Sequence, residues 1–275
     1  MSKEISQTGA LTVPKFLAKK KSGEKISMIT AYDFTMAKLF DEAGVDSILI
    51  GDSLGMVIQG RENTLGVSLD QMIYHCHCVA MGAKRAHLIG DMPFMSYQAS
   101  KEDAVRSAGK LLKKGKVHGV KMEGGEEIAE IVAAVVKVGI PVMGHVGLMP
   151  QHVQQMGGYK VQGREEKAAK KILNDAKAIA NAGAYSLVLE GIPLELAQKI
   201  TDTIDIPTIG IGSGPHCDGQ VLVCYDLLGM YSEFKPKFVK HFGNLGVAIH
   251  AAMKDYIREV KEGTYPDEDH SFKER

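Results

Sequence analysis

The 275-residue sequence predicts a (β/α)₈ barrel, and three observations carry that reading. One structural phrase recurs along the chain: an amphipathic segment, a glycine, a few residues, a short apolar run, then a polar residue. The apolar runs are nearly continuous rather than alternating, as expected of strands covered on both faces in a parallel sheet. Helical patterns separate the runs, and eight such units fill a chain of this length as one barrel.

The elements follow in order. Residues 11–23 read as a flanking segment, and "ISMITAY" (26–32) as the first strand. "EAGVDSILIGD" ends at Asp52 and "MGAKRAHLIGD" at Asp91. "KKGKVHGVKMEGG" passes Lys121 and Glu123, "KVGIPVMGHVG" carries His145, and "NAGAYSLVLEG" reaches Glu190. "IPTIGIG" (206–212) and "QVLVCYDLLG" (220–229) supply the seventh and eighth strands, and a helix follows around 243–261. Gly44, Gly82, Gly115, Gly139 and Gly183 stand where a helix end favours the left-handed conformation. The clearest helix is 164–181, where Ile172, Leu173, Ala176, Ile179 and Ala180 share a face. An open doubly wound sheet has less support. "GIGSG" (210–214) lacks the G-x-G-x-x-G spacing and runs into Pro215, so it reads as a strand-end turn. The whole of 1–275 reads as one barrel domain with a short N-terminal extension and a C-terminal helix and tail.

Composition narrows the function. The chain is 45% hydrophobic and 24% charged with zero formal net charge, so no basic footprint invites nucleic acid. No apolar run approaches the roughly 18 residues of a membrane span, and Glu4 argues against a transit peptide. Cys76, Cys78, Cys217 and Cys224 show no disulfide spacing and read as reduced thiols of a cytoplasmic protein. "HCHC" (75–78) falls in a helix, where residues two apart do not share a face, and it lacks a partner pair at zinc spacing. The methionines Met28, Met36, Met56, Met72, Met81, Met92, Met95 and Met122 read as core fillers. No G-x-S-x-G elbow supports a serine hydrolase.

In such barrels the reacting groups sit at the C-terminal strand ends. That rule sends Asp52, Asp91, Glu123, His145 and Glu190 to one mouth, with Lys121 on the same strand face as Glu123. A lone strand-end Asp is most simply a helix N-cap, but five polar residues in one register read as an active site. Gathered carboxylates repel each other unless a cation shares the space. A hard divalent ion satisfies them: Mg²⁺ takes one or two protein carboxylates and completes its shell with water and substrate oxygens. Asp52 and Asp91, each after the same Ile-Gly step, are the expected ligands. The long segment 145–164, rich in glycines and amides, reads as a functional lid.

At these residues the sequence resembles the ketopantoate hydroxymethyltransferases. The resemblance runs from about Leu11 to Phe272 through "MITAYD", "GDSLGM", "GDMPFMSY", "VKMEGG", "GHVGLMPQ", "GGYKVQGR", "LVLEGIP" and "IGIGSG", in that order. It implies a barrel of the phosphoenolpyruvate/pyruvate type. It implies transfer of a one-carbon unit from 5,10-methylenetetrahydrofolate to 3-methyl-2-oxobutanoate, forming 2-dehydropantoate on the route to pantothenate and coenzyme A. It further implies one Mg²⁺ per subunit and a large homo-oligomer, often a decamer. By motif, Asp52 and Asp91 match metal ligands, Glu123 a further acidic residue at the metal, Ser53 and Lys121 substrate contacts, and Glu190 the general base. His145 is expected to orient substrate or a water. A lyase or isomerase acting on 2-oxo acids is the rival within this fold, but the resemblance to that group implies a Lys-x-Cys-Gly-His-type loop that the chain does not contain. A non-catalytic keto-acid-binding barrel is the other alternative; it leaves Glu190 and Lys121 without a role.

Overall fold

The computed structural model describes residues 11–230 and 236–274; Glu4 and the rest of 1–10 lie outside them. The chain divides into two compact units, Met1–Val223 and Cys224–Arg275. The first holds a closed barrel whose strands follow chain order, every neighbouring pair parallel. The strands are β1 (Ile26–Thr30), β2 (Ser47–Ile50), β3 (His87–Asp91) and β4 (Gly119–Glu123). They continue with β5 (Val142–Gly147), β6 (Ser186–Glu190), β7 (Thr208–Ile211) and β8 (Gly219–Leu222). Closure rules out the open-sheet alternative.

Helix α1 (Val13–Ser22) precedes the barrel. Pro14 in its first turn has no hydrogen bond to lose there, and Gly23 ends the helix at φ 74°. Its Phe16 is fully buried in a core with Ile26, Met28, Leu49, Ile89, Met143, Tyr185, Val188, Ile209 and Val221. These side chains fill the lower barrel. The strand period of two then carries the same inward face upward: from Ile89 to Asp91 on β3, from Met143 to His145 on β5, from Val188 to Glu190 on β6. Apolar layers below and charge above follow directly from alternation.

Three local expectations need correction. The eighth strand stops at Leu222, and 224–227 turn into a short helix. Apolar runs this short do not distinguish strand from helix by periodicity. Of the five glycines read as caps, Gly44, Gly139 and Gly183 take positive φ, but Gly82 and Gly115 do not. Those two are contact glycines instead. A Cβ on Gly82 would lie 2.3 Å from the Phe34 carbonyl oxygen, and one on Gly115 2.8 Å from Cys76 Cβ. Among the methionines, Met28, Met72, Met92 and Met122 are buried, whereas Met56, Met81 and Met95 are exposed. The helix read at 164–181 spans Glu166–Asn181, with Asp175 turned inward to accept the Glu126 amide N–H at 3.0 Å.

Candidate active site at the C-terminal mouth of the barrel

The strand register sets the site. Asp91 pairs opposite Lys121, Glu123 opposite His145, and Gly147 opposite Glu190. The last pairing requires glycine: Gly147 has φ +100°, and a Cβ there would lie 2.4 Å from the Glu190 carbonyl oxygen. Asp52 follows β2 directly, and its amide N–H donates to Asp91 Oδ2 at 3.2 Å. The two aspartates are therefore neighbours.

Lys121 Nζ lies 2.6 Å from Asp91 Oδ1 and 3.3 Å from Glu123 Oε1. His145 continues the chain of charge, with Nδ1 3.4 Å from Glu123 Oε1 and Nε2 3.3 Å from Glu190 Oε2. Both contacts are long, and neither ring nitrogen makes a well-directed hydrogen bond. Asp52, Asp91, Lys121, Glu123 and His145 are all buried. Glu190 reaches furthest toward solvent, its side chain 17% exposed against 1% for His145. Ser53, partly buried beside Gly51, shares a hydrogen bond of 2.9 Å with the Tyr32 hydroxyl. All seven sequence-predicted site residues thus lie at or just beyond the strand ends of one mouth.

Burial dominates the electrostatics and does not resolve them evenly. It pushes the Asp52 carboxyl well above the usual carboxylate range, and repulsion from Asp91 and Glu123 pushes further the same way. It also raises Asp91, with Lys121 pulling in the opposite direction. Glu123 is the exception: despite burial, Lys121 and then His145 hold it below the ordinary range. His145 is raised to about 9, because Glu123 and Glu190 outweigh burial and the repulsion of Lys121. Lys121 is raised although burial opposes its charge, since three carboxylates face it.

Sequence reasoning missed Gln151, the residue that ties these groups together. It opens the loop after β5, in a helical turn begun by Pro150. Its main-chain N–H donates to Glu123 Oε2 at 3.0 Å. Its side-chain Nε2 donates to Asp52 Oδ2 and the Met92 carbonyl, each at 2.9 Å. Its Oε1 accepts from the Tyr97 hydroxyl at 3.0 Å and from Gln98 at 3.1 Å. Its sequence signal is slight: an uncharged amide after a proline, at the end of the phrase "GHVGLMPQ" and inside the amide-rich segment 145–164. The rest of the segment contains a short helix, Val153–Met156, and Tyr159, whose hydroxyl meets Met56 S at 3.6 Å.

Among the described residues, no group of three or more His, Cys, Asp and Glu side chains is disposed to hold a metal ion by itself. The donor set suits an ion that needs fewer. Two adjacent buried carboxylates, Asp52 and Asp91, face one ammonium that a third carboxylate also engages. Mg²⁺ commonly takes two protein carboxylates and leaves its other positions to water and substrate. The "HCHC" segment lies inside the helix Leu69–Gly82, where Cys76 is buried and His75 Nδ1 meets the Tyr32 carbonyl at 2.7 Å.

Comparison with known proteins decides the family. A profile described as ketopantoate hydroxymethyltransferase matches residues 10–268. The chain belongs to the ketopantoate hydroxymethyltransferase family. A relative from Clostridium kluyveri named 3-methyl-2-oxobutanoate hydroxymethyltransferase is 57% identical, over 95% of this chain and 93% of its own. One of the same name from Syntrophus aciditrophicus is 58% identical, over 92% of this chain and 93% of its own. Among solved structures, a phosphoenolpyruvate phosphomutase from Streptomyces platensis subsp. rosaceus superposes with a TM-score of 0.63 at 13% identity, covering 95% of this chain and 92% of that one. A 2,3-dimethylmalate lyase of the PEP mutase/isocitrate lyase superfamily gives 0.59 at 17% identity, over 94% and 91%. The family thus shares its barrel with enzymes far removed in sequence.

Proposed function

We propose that this hydroxymethyltransferase moves a one-carbon unit from 5,10-methylenetetrahydrofolate to 3-methyl-2-oxobutanoate, giving 2-dehydropantoate for pantothenate synthesis. Asp52 and Asp91 would hold one Mg²⁺ per subunit, with Glu123 as a further acidic group beside it. When bound, the ion supplies Lewis-acid polarisation of the keto group and offsets negative charge. The Lys121 ammonium, fixed by Asp91 and Glu123, adds positive charge where the keto oxygen becomes anionic. The Ser53 hydroxyl donates to the substrate carboxylate, and His145 orients substrate from across the mouth. Glu190 removes the proton from C3, and the resulting carbanion bonds to the methylene carbon. The two folate C–N bonds break, their nitrogens take up protons as tetrahydrofolate leaves, and one water supplies the hydroxyl oxygen of the new hydroxymethyl group. The observation that carries this reading is the placement of Glu190. It is the most exposed acid of the cluster, and His145 links it to the buried charges around Lys121.

The test is deuterium exchange at C3 of 3-methyl-2-oxobutanoate in D₂O, with Mg²⁺ and without folate. The native enzyme should catalyse exchange and lose it on chelation. Glu190→Gln should cut the rate by about 10²–10⁴-fold, the worth of a general base, while keto-acid binding changes little. Exchange at the native rate in that variant would remove Glu190 from the mechanism. We further read the protein as a cytoplasmic homo-oligomer, in family terms a decamer. Helix Leu245–Glu262 supports the assembly, since Ile249, Met253, Tyr256, Ile257 and Val260 form an exposed apolar stripe. No helix among the described residues is long and apolar enough to cross a membrane.

A further inference from the structure

The geometry points to Gln151 as a positioning residue: it holds Asp52 ready for a divalent cation and joins the loop 148–164 to that readiness, without being a ligand. The inference rests on reading Asp52 as a cation ligand. Gln151 is 3% exposed, and every donor and acceptor of its amide is engaged. Its partners come from three segments other than its own loop: Asp52 after β2, Met92, Tyr97 and Gln98 after β3, and Glu123 at the end of β4. The Tyr97 hydroxyl closes the circle, accepting from the Glu123 amide N–H at 3.0 Å while facing Gln151 Oε1 at the same distance.

The residue type follows from this wiring. A carboxylate with one oxygen pinned has less freedom to lose when a cation binds, and groups outside the ligand shell tune affinity in this way. Glutamate at 151 would add another carboxylate to a cluster that already repels itself. An apolar side chain would leave Asp52 Oδ2 and the Met92 carbonyl without their partner. Asparagine is one methylene too short to reach both. Because the main-chain N–H of Gln151 also binds Glu123, the loop cannot lift at this point without releasing two of the acidic groups.

The experiment titrates Mn²⁺ into the full-length protein and reads free Mn²⁺ by electron paramagnetic resonance, so no turnover is needed. Gln151→Met should raise the Mn²⁺ dissociation constant by about 10–100-fold, the usual effect of losing an outer partner. Gln154→Ala, at an exposed position of the same loop, should leave it unchanged. Asp52→Asn should weaken binding at least as much as Gln151→Met. Native affinity in Gln151→Met beside weakened binding in Asp52→Asn overturns the inference and spares the ligand assignment. Native affinity in both overturns the ligand assignment itself. Circular dichroism checks folding. Should Gln151→Met not fold, Gln151→Asn takes its place, and native Mn²⁺ affinity there overturns the inference equally.

Discussion

Lys121→Met tests the electrostatic core of the site most directly. Methionine keeps much of the lysine volume and removes the ammonium that lies 2.6 Å from Asp91 and 3.3 Å from Glu123. Removing one partner of a buried ion pair costs about 3–5 kcal/mol, because the remaining charge stays desolvated. For a domain of this size each kcal/mol moves Tm by about 2–4 °C, so the variant should melt roughly 6–20 °C lower at pH 8. The deficit must also depend on pH. Burial already raises the Asp91 carboxyl and Lys121 opposes it, so losing Lys121 raises it further. A carboxyl with a folded pKa above its unfolded value of about 3.9 binds more protons in the folded state, and acidification then favours folding. The gap between native protein and variant should therefore shrink from pH 8 to pH 5. Differential scanning calorimetry in chelator, so that no divalent ion replaces the ammonium, measures it. A deficit under about 2 °C at pH 8, or one that stays constant with pH, refutes Lys121 as the counter-ion.

His87, at the base of the barrel, should show the opposite pH behaviour. Burial and then His118 lower it to about 4 from 6.5, so its contribution is complete above pH 6.5 and is lost as pH falls toward 4. At about 1.36 kcal/mol per unit this is about 3 kcal/mol. Unfolding free energies of native protein and His87→Gln from urea denaturation should therefore converge by about that much between pH 7.5 and pH 4, and a constant gap counts against it. Glycine substitutions should divide by environment. Gly109→Ala, inside the helix Lys101–Lys110 with nothing within 4 Å of the new Cβ, should gain about 0.5–1 kcal/mol. Gly82→Ala should lose about 1–3 kcal/mol, since its Cβ would lie 2.3 Å from the Phe34 carbonyl oxygen. Thermal unfolding compares the two.

What the sequence revealed depended on what repeats. Strands buried on both faces leave continuous apolar runs, and a polar residue at each end is conspicuous, so Asp91, Glu123, His145 and Glu190 could be placed at the mouth from spacing alone. Functions carried by a single uncharged residue leave no such trace. Gln151 stands in a loop, among other amides, and only the fold brings it to Asp52 and Glu123. Residue type misled where one type serves two needs. Glycine provides both positive φ, as at Gly44, and close helix contact, as at Gly82. Nothing in the local sequence separates those uses. The helix at 224–227 reads as strand in the sequence for a related reason, since a short apolar stretch fits either period.

The two ends of the barrel bury polar groups in opposite ways, and the contrast locates the function. At the base, His87 is neutral and fully partnered. Its Nδ1–H donates to the Leu11 carbonyl, its Nε2 accepts from the Tyr185 hydroxyl, both at 2.9 Å, and Phe16 packs beside both rings. Nothing there calls for a further ligand. At the mouth, Asp52 and Asp91 are held above their ordinary range, and His145 has no well-directed hydrogen bond for either nitrogen. Native interiors seldom tolerate such imbalance without a use for it. The apolar layers and the satisfied base stabilise the barrel without help from the mouth. The mouth can then keep carboxylates, an ammonium and an imidazolium in an arrangement that a cation and an anionic keto acid would complete.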